Sequence, residues 1–327
     1  MESPLEYAIG IDIGGTNTKW GIVNHRGDIL CTGKILTTDY PKIEDFVHQL
    51  EVELNPLIEK FGGPELIKGI GVGAPNGNFY TGTIEYAPNL LWKGIVPIAK
   101  LISDQFNKPC TLTNDANAAA VGEMTYGAAR GMKDFIMITL GTGVGSGIIV
   151  NGQLVLGHDG FAGELGHTII RPGGRYHPGT GSHGCLEMYA SATGIAITAK
   201  EILEKKHKAE TSLREYKEED ITSKIVYEAA RKGDEVAKEI FQFTGKILGE
   251  ALANFVMFSS PEAIILFGGV TKAGNIIMDP VLEHMNKNLL PIFQNKVKLL
   301  FSELKESDAA ILGASALVWE KKDNLNT

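Results

Sequence analysis

The sequence predicts two α/β domains of mixed sheet built on one repeated plan, and three features carry that prediction. An apolar strand through Ala8, Ile9, Ile11 and Ile13 enters Gly14-Gly15-Thr16 and returns over 19–23. The pattern recurs where 134–140 enters Gly141-Thr142-Gly143 and Ile148-Ile149-Val150 leaves. Between and after these hairpins, apolar strands alternate with helical periods over 327 residues, more chain than one small core holds. A device repeated at matching places points to an internal duplication, with a polyphosphate gripped between two tips in an inter-domain cleft.

Composition narrows the function classes. Apolar residues make up 43% and charged residues 21%, as in ordinary globular proteins. A net charge of −8 argues against a nucleic-acid-binding surface. Cys31, Cys110 and Cys185 are too few and too widely spaced for a disulfide framework and suit a reducing compartment. The first residues, Met-Glu-Ser-Pro-Leu-Glu-Tyr, lack the basic and apolar regions of a signal peptide, and no apolar run spans a bilayer. The expectation is a cytoplasmic protein with no membrane partner.

The first hairpin carries the clearest chemistry. Gly14 and Gly15 let the chain reverse where side chains resist. Main-chain N–H groups of such a tip converge on an anion, and Thr16, Asn17, Thr18 and Lys19 add donors. Asp12, near the strand's end, is placed to hold a hydrated Mg²⁺. An ordinary Gly-Gly hairpin turn would read the same way. No G-x-x-x-x-G-K-[ST] occurs, and a strand follows the glycines where a P-loop or dinucleotide fingerprint needs a helix.

The remaining elements follow in order. A third strand is expected at 29–35 and a helix at 44–60, kinked or split by Pro56. A buried strand at 69–72 runs into the turn-rich 73–78. Asn89, Leu90 and Trp92 lie in a loop, 95–106 reads as a helix and 109–113 as a strand. At Thr113-Asn114-Asp115-Ala116-Asn117 a strand gives way to an alanine-rich helix reaching about Tyr126. Asn and Asp are good N-caps there. Asp115 also stands at a strand's carboxyl end, where open α/β sheets bind ligands.

Glu164 and His167 place a carboxylate and an imidazole three residues apart, and a Gly/Pro-rich loop over 173–184 leads to Cys185 and Glu187. From about 193 to 258 the chain is mostly helical, with breaks near Glu210 and Gly233. Its longest helix is 234–258, in which Gly245 and Gly249 permit close packing. A strand at 262–267 ends in Gly268-Gly269. A helix over 282–293, a strand over 297–301 and a terminal helix over 308–319 complete the chain.

With these residues in hand, the chain resembles the ROK family (repressor, open reading frame, kinase) of sugar kinases. The resemblance covers nearly the whole chain and rests on Asp12-Ile13-Gly14-Gly15-Thr16, Asn114-Asp115-Ala116-Asn117, Leu140-Gly141-Thr142-Gly143-Val144-Gly145, Gly163-Glu164-Leu165-Gly166-His167 and Gly184-Cys185-Leu186-Glu187, in family order. It implies the two-domain hexokinase/actin-type ATPase fold, with a small domain of 1–113 plus 308–327 and a large domain of 114–307. It implies that Asp12, Gly14, Gly15, Thr16, Lys19, Gly141, Thr142 and Gly143 hold the ATP phosphates and Mg²⁺, and that Gly268 and Gly269 line the adenosine pocket. Asn89, Asn114, Glu164, His167 and Glu187 would bind the sugar, with Asp115 as catalytic base and Asn76 to Asn78 against the substituent on the sugar's second carbon. The implied reaction is phosphorylation of a hexose, glucose first. Fructose, mannose, N-acetylglucosamine and N-acetylmannosamine are the alternatives, and a homodimer is the implied assembly.

Two departures qualify the resemblance. Regulators of the family carry an N-terminal helix-turn-helix, and here the hairpin begins within the first ten residues, so a sugar-sensing regulator is not expected. Many members also bind a structural zinc through a histidine and three cysteines, and two of those positions hold Pro178 and Thr180. His167 and Cys185 remain, with His177 and His183 nearby in sequence. A tetrahedral site needs about four ligands, so no structural zinc is expected.

Overall fold

The computed structural model describes residues 6–319. It contains two compact units. Of the described residues, one takes 6–131, 154–163 and 303–319, and the other takes 132–153 and 164–302. The first unit thus runs past the expected boundary at 113 and includes the helix that follows. The reason is packing: that helix lies against the C-terminal helix.

In the first unit β1 (Tyr7–Ile13), β2 (Asn17–Asn24) and β3 (Ile29–Leu36) form an antiparallel meander, and β4 (Ile67–Gly73) pairs parallel to β1. Strands β5 (Gly77–Asn78), β6 (Thr83–Glu85) and β7 (Ile95–Val96) make a small separate sheet, and β8 (Cys110–Thr113) closes the main one in the order β3-β2-β1-β4-β8. Helices α1 (Ile43–Lys60) and α2 (Ile98–Phe106) cover it, with Phe46, Leu50, Leu54, Ile98 and Ile102 in its core. α1 runs on through Pro56, so the expected split does not occur. α2 starts three residues later than 95, because Pro97 holds the preceding residue extended and leaves Ile95–Val96 to pair as a strand.

Helix α3 (Asp115–Tyr126) and the C-terminal helix pack on the opposite face. Small residues allow the approach. A methyl group on Gly10 or Gly71 would strike the main-chain carbonyl of Ile311 or Ala314, and one on Gly313 would sit 2.6 Å from the Ala118 carbonyl oxygen.

The second unit repeats the plan. β9 (Phe135–Leu140) and β10 (Val144–Val150) form the hairpin, β11 (Gln153–Leu154) lies beside β10, and β12 (Ala263–Phe267) pairs parallel to both β9 and a last strand at 298–301. The order β11-β10-β9-β12-β13 matches the first sheet strand for strand, with β13 being Lys298–Phe301. The helices are α4 (Glu187–Ala190), α5 (Ala192–Lys205), α6 (Ser223–Arg231), α7 (Glu235–Ser259) and α8 (Asn275–Asn288), and the C-terminal helix of the first unit is α9 (Ala309–Trp319).

The longest helix, α7, is capped by Asp234, whose Oδ1 accepts the Ala237 N–H at 3.1 Å. Its two glycines do what their spacing promised: a methyl on Gly249 would lie 2.5 Å from the Val281 carbonyl oxygen of α8, and one on Gly245 2.6 Å from the Pro280 ring. That packing carries α8 through Pro280 and places it over 275–288 rather than 282–293, where Pro291 forbids continuation. No helix among the described residues is long and apolar enough to cross a membrane.

Candidate active site

Each unit gathers its own share of the expected residues. In the first, β1 and β2 pair so that Asp12 stands opposite Lys19. The turn between them is closed by the Gly14 N–H donating to the Asn17 carbonyl at 3.0 Å. The N–H groups of Gly15 and Thr16 make no hydrogen bond among the described residues. Neither Gly14 nor Gly15 takes the positive φ expected of the turn; the reason for Gly15 is steric, since a methyl there would sit 2.5 Å from the Asn89 carbonyl oxygen, which lies against the tip.

Asp115 opens α3 directly after β8. The cap is Asn114, whose Oδ1 accepts the Asn117 N–H at 2.7 Å. Asp115 is exposed, and its Oδ1 accepts the Ala116 N–H at 2.8 Å. That bond fixes one oxygen and leaves Oδ2 with no hydrogen bond among the described residues. Gly73, at the end of β4, lies between the two aspartates: a methyl there would lie 3.7 Å from Asp115 Cα and 4.0 Å from Asp12 Oδ1. Asp12 is pushed up to about 6, first by its burial and then by the negative charge of Asp115, with Lys19 opposing both. Two carboxylates crowded in this way suit a divalent cation, which would relieve the repulsion. The pair therefore fits a hydrated magnesium ion.

In the second unit the β9–β10 turn is tighter, with the Gly141 N–H donating to the Gly143 carbonyl at 3.0 Å. Helix α5 braces it through the Ala192 N–H to the Gly141 carbonyl at 2.8 Å and Thr193 Oγ1 to the Thr142 carbonyl at 2.9 Å. Gly268, at φ +106°, ends β12 against this turn, where a methyl would lie 2.6 Å from the Leu140 carbonyl oxygen. Gly269 follows it into the next turn.

Glu187 and the turn that carries Glu164 and His167 are both fastened to the first residues of β10. The turn carrying Glu164 and His167 is pressed down at Gly166, whose hydrogen faces the Val144 carbonyl oxygen with no room for a methyl. The Leu165 N–H donates to Ser146 Oγ at 3.1 Å in the same place. Glu187 accepts the Val144 N–H on Oε2 at 2.8 Å and meets His177 Nε2 at 2.7 Å on Oε1. One bond to each oxygen orients the carboxylate and leaves lone pairs on both for hydroxyl donors.

The structure departs from the expectations at two asparagines. Asn76 Nδ2 donates to the Glu85 carbonyl at 2.9 Å, and Asn78 is buried, with Nδ2 on the Asp159 carbonyl at 2.8 Å and Oδ1 on the Tyr80 N–H at 3.0 Å. Both amides help hold their loops, and the burial of Asn78 keeps its side chain from a ligand. Three residues were missed: Gly73, Arg175 and His177 in its contact with Glu187. A small residue at the end of a buried strand was the only signal for Gly73. Nothing local marks the other two, because their partners lie ten or more residues away.

The zinc expected to be absent can be tested on the donors. His167, His177 and Cys185 bring one nitrogen or sulfur each to within 4.8 Å of one another. Both ring nitrogens of His177 are occupied, however, with Nδ1 accepting the N–H groups of Gly179 and Thr180 at 3.1 Å each. Two ligands do not make a tetrahedral site, and the residues present do not fit the zinc.

Two like units, each opening on a glycine-tipped hairpin and each ringed by polar donors, define a sugar kinase of the hexokinase/actin-type ATPase fold. The ROK family profile matches residues 8–321. Glucokinases of Halalkalibacterium halodurans and Thermotoga maritima are 34% and 33% identical to this chain, covering 98% and 97% of it and 97% and 99% of their own lengths. A ROK family glucokinase from Streptomyces griseus, solved with glucose and AMPPNP, superposes with a TM-score of 0.78 at 33% identity, over 96% of this chain and all of that one. The chain belongs to the ROK family.

Proposed function

We propose that the protein transfers the γ-phosphoryl group of ATP to a hexose, glucose first, with Asp115 as general base. The observation that carries this reading is the pair Asp12 and Asp115 held together over Gly73, one half-buried and one exposed with a free oxygen. A sugar hydroxyl is a poor nucleophile near neutral pH. Asp115 Oδ2 accepts its proton while the hydroxyl oxygen bonds to the γ-phosphorus. The bond from that phosphorus to the β–γ bridging oxygen breaks, and ADP leaves. General-base help of this kind is worth about 10²–10⁴-fold.

The rest is positioning and charge. The N–H groups of Gly15 and Thr16 bind phosphate oxygens, with Gly14 and Lys19 beside them. Gly141, Thr142 and Gly143 offer a second set, and Gly268 and Gly269 leave room for adenosine. A magnesium ion, held through water by Asp12, would supply positive charge against the phosphates when bound. Glu164, His167 and Glu187 accept sugar hydroxyl protons, with Asn89 and Asn114 completing the set. Carboxylates of this kind suit a neutral polyol and repel an anionic one. The protein works in the cytoplasm as a homodimer on this reading.

A coupled ADP-release assay with ATP and Mg²⁺ tests it against glucose, mannose, fructose, N-acetylglucosamine and N-acetylmannosamine. Preference for glucose is the expected result. Preference for an N-acetylated sugar moves the substrate and keeps the mechanism, and no turnover with any of them contradicts the reading. Asp115→Asn should lower kcat by about 10³-fold and leave ATP binding nearly intact.

A further inference from the structure

We infer that His177 is a positioning residue that holds Glu187 toward the sugar, in a loop fixed without a metal ion. The inference rests on the proposed role of Glu187 as a sugar ligand. The metal-free part stands on the donors alone.

The cluster of His167, His177 and Cys185 has the chemistry of a zinc site and not its availability. A coordinating imidazole nitrogen must present a free lone pair. His177 Nδ1 uses its lone pair on the N–H groups of Gly179 and Thr180. The ring proton therefore sits on Nε2 and is donated to Glu187 Oε1 at 2.7 Å. Coordination through either nitrogen would break one of these contacts. Thr180 Oγ1 pairs with Ser182 Oγ at 2.7 Å, Pro178 carries no ligand atom, and Cys185 is fully buried as a small apolar side chain.

The loop has other fastenings. Arg175 places Nε and Nη2 on the two carboxylate oxygens of Glu201 at 2.9 and 2.8 Å, and its Nη1 donates to the Met188 carbonyl at 2.7 Å. Its guanidinium lies 4.5 Å from the Tyr189 ring centroid. Arg171 pairs with Glu250. Main-chain bonds from the His177 N–H to the Ser182 carbonyl and from the Gly184 N–H to the Arg175 carbonyl, both 2.8 Å, close the turn. A forked, stacked arginine at the base and an imidazole at the tip do here what a metal does by gathering ligands. His177 sets one oxygen of Glu187, and Val144 of the phosphate hairpin sets the other.

The test combines two readouts. Metal analysis of the purified full-length protein and its melting temperature with and without a strong chelator should give far less than one zinc per chain and no change in Tm. About one zinc per chain, lost in Cys185→Ala, would overturn the inference whatever the activity. Long-range ¹⁵N NMR should find the Nε2–H tautomer at His177, and the Nδ1–H tautomer would also overturn it. In kinetics, His177→Ala should raise the sugar KM about tenfold and leave the ATP KM within about twofold. His177→Gln, whose amide can donate to Glu187, should recover most of the loss, and Cys185→Ala should stay near wild type. An unchanged sugar KM in His177→Ala contradicts the positioning role. Absence of sugar turnover in the wild type would count against the kinase reading, and the metal and NMR results would still stand.

Discussion

The two hairpins share a topology and differ in what surrounds their tips. The first is a charged site: Asp12, Lys19 and Asp115 stand together, and burial with like charge lifts Asp12 to about 6. The second is a hydrogen-bonded one: its tip is braced by α5, and Glu187 is held on both oxygens by Val144 and His177. The difference teaches that a duplicated frame, once it has fixed where a strand turns, leaves the chemistry of each turn free. On the proposed reading the first tip received the base and the cation site, and the second received the fixed acceptors that orient a sugar.

Substitutions can break that division in a graded way. At the second tip the largest effect on the frame is expected at Gly166→Ala, where a new methyl meets the Val144 main-chain carbonyl and cannot be accommodated by a side-chain rotation. It should displace Glu164 and His167 together, raise the sugar KM by more than about tenfold and destabilise the fold by ~2 kcal/mol in denaturant titrations. A variant with wild-type sugar KM would show that this turn does not present sugar ligands.

A smaller effect is expected from Asp12→Asn in metal-free buffer. The folded value near 6 lies above the ordinary 3.8, so the ionised carboxyl destabilises the native state at high pH, and the penalty fades as pH falls through 6 toward 4. The variant should therefore melt higher than wild type at pH 8, by an amount on the order of 2 kcal/mol, with the gap closing near pH 4. Added Mg²⁺ at pH 8 should stabilise wild type more than the variant. A constant gap across the range would remove the electrostatic account of this tip. The smallest effect is expected at Lys19→Met, which takes away the one charge lowering the Asp12 value and should move its titration midpoint upward, read by ¹³C NMR of the carboxyl.

Much of the frame was legible because it depends on local pattern. The glycine-tipped hairpins, the run of α7 with Gly245 and Gly249, and the caps at Asn114 and Asp234 follow from periodicity and side-chain chemistry within a few residues. The errors came where distant packing decides. The helix expected over 282–293 spans Asn275–Asn288 instead, where the missing side chain of Gly245 gives the Pro280 ring a place. Pro97 turned the start of an apparent helix into β7. Among the candidate site residues, Asp12, Asp115, Glu164, His167 and Glu187 stand out in the sequence as motifs. Gly73 beneath the two aspartates does not, nor does the His177–Glu187 contact, because each depends on residues that meet only in the folded chain.

The most direct test compares Asp115→Asn and Glu187→Gln by steady-state kinetics with ATP, Mg²⁺ and the preferred sugar. The account predicts a split: Asp115→Asn loses kcat by about 10³-fold with the sugar KM within about threefold, and Glu187→Gln raises the sugar KM by about tenfold or more. A kcat for Asp115→Asn within tenfold of wild type, or the same parameter moving in both variants, would contradict it.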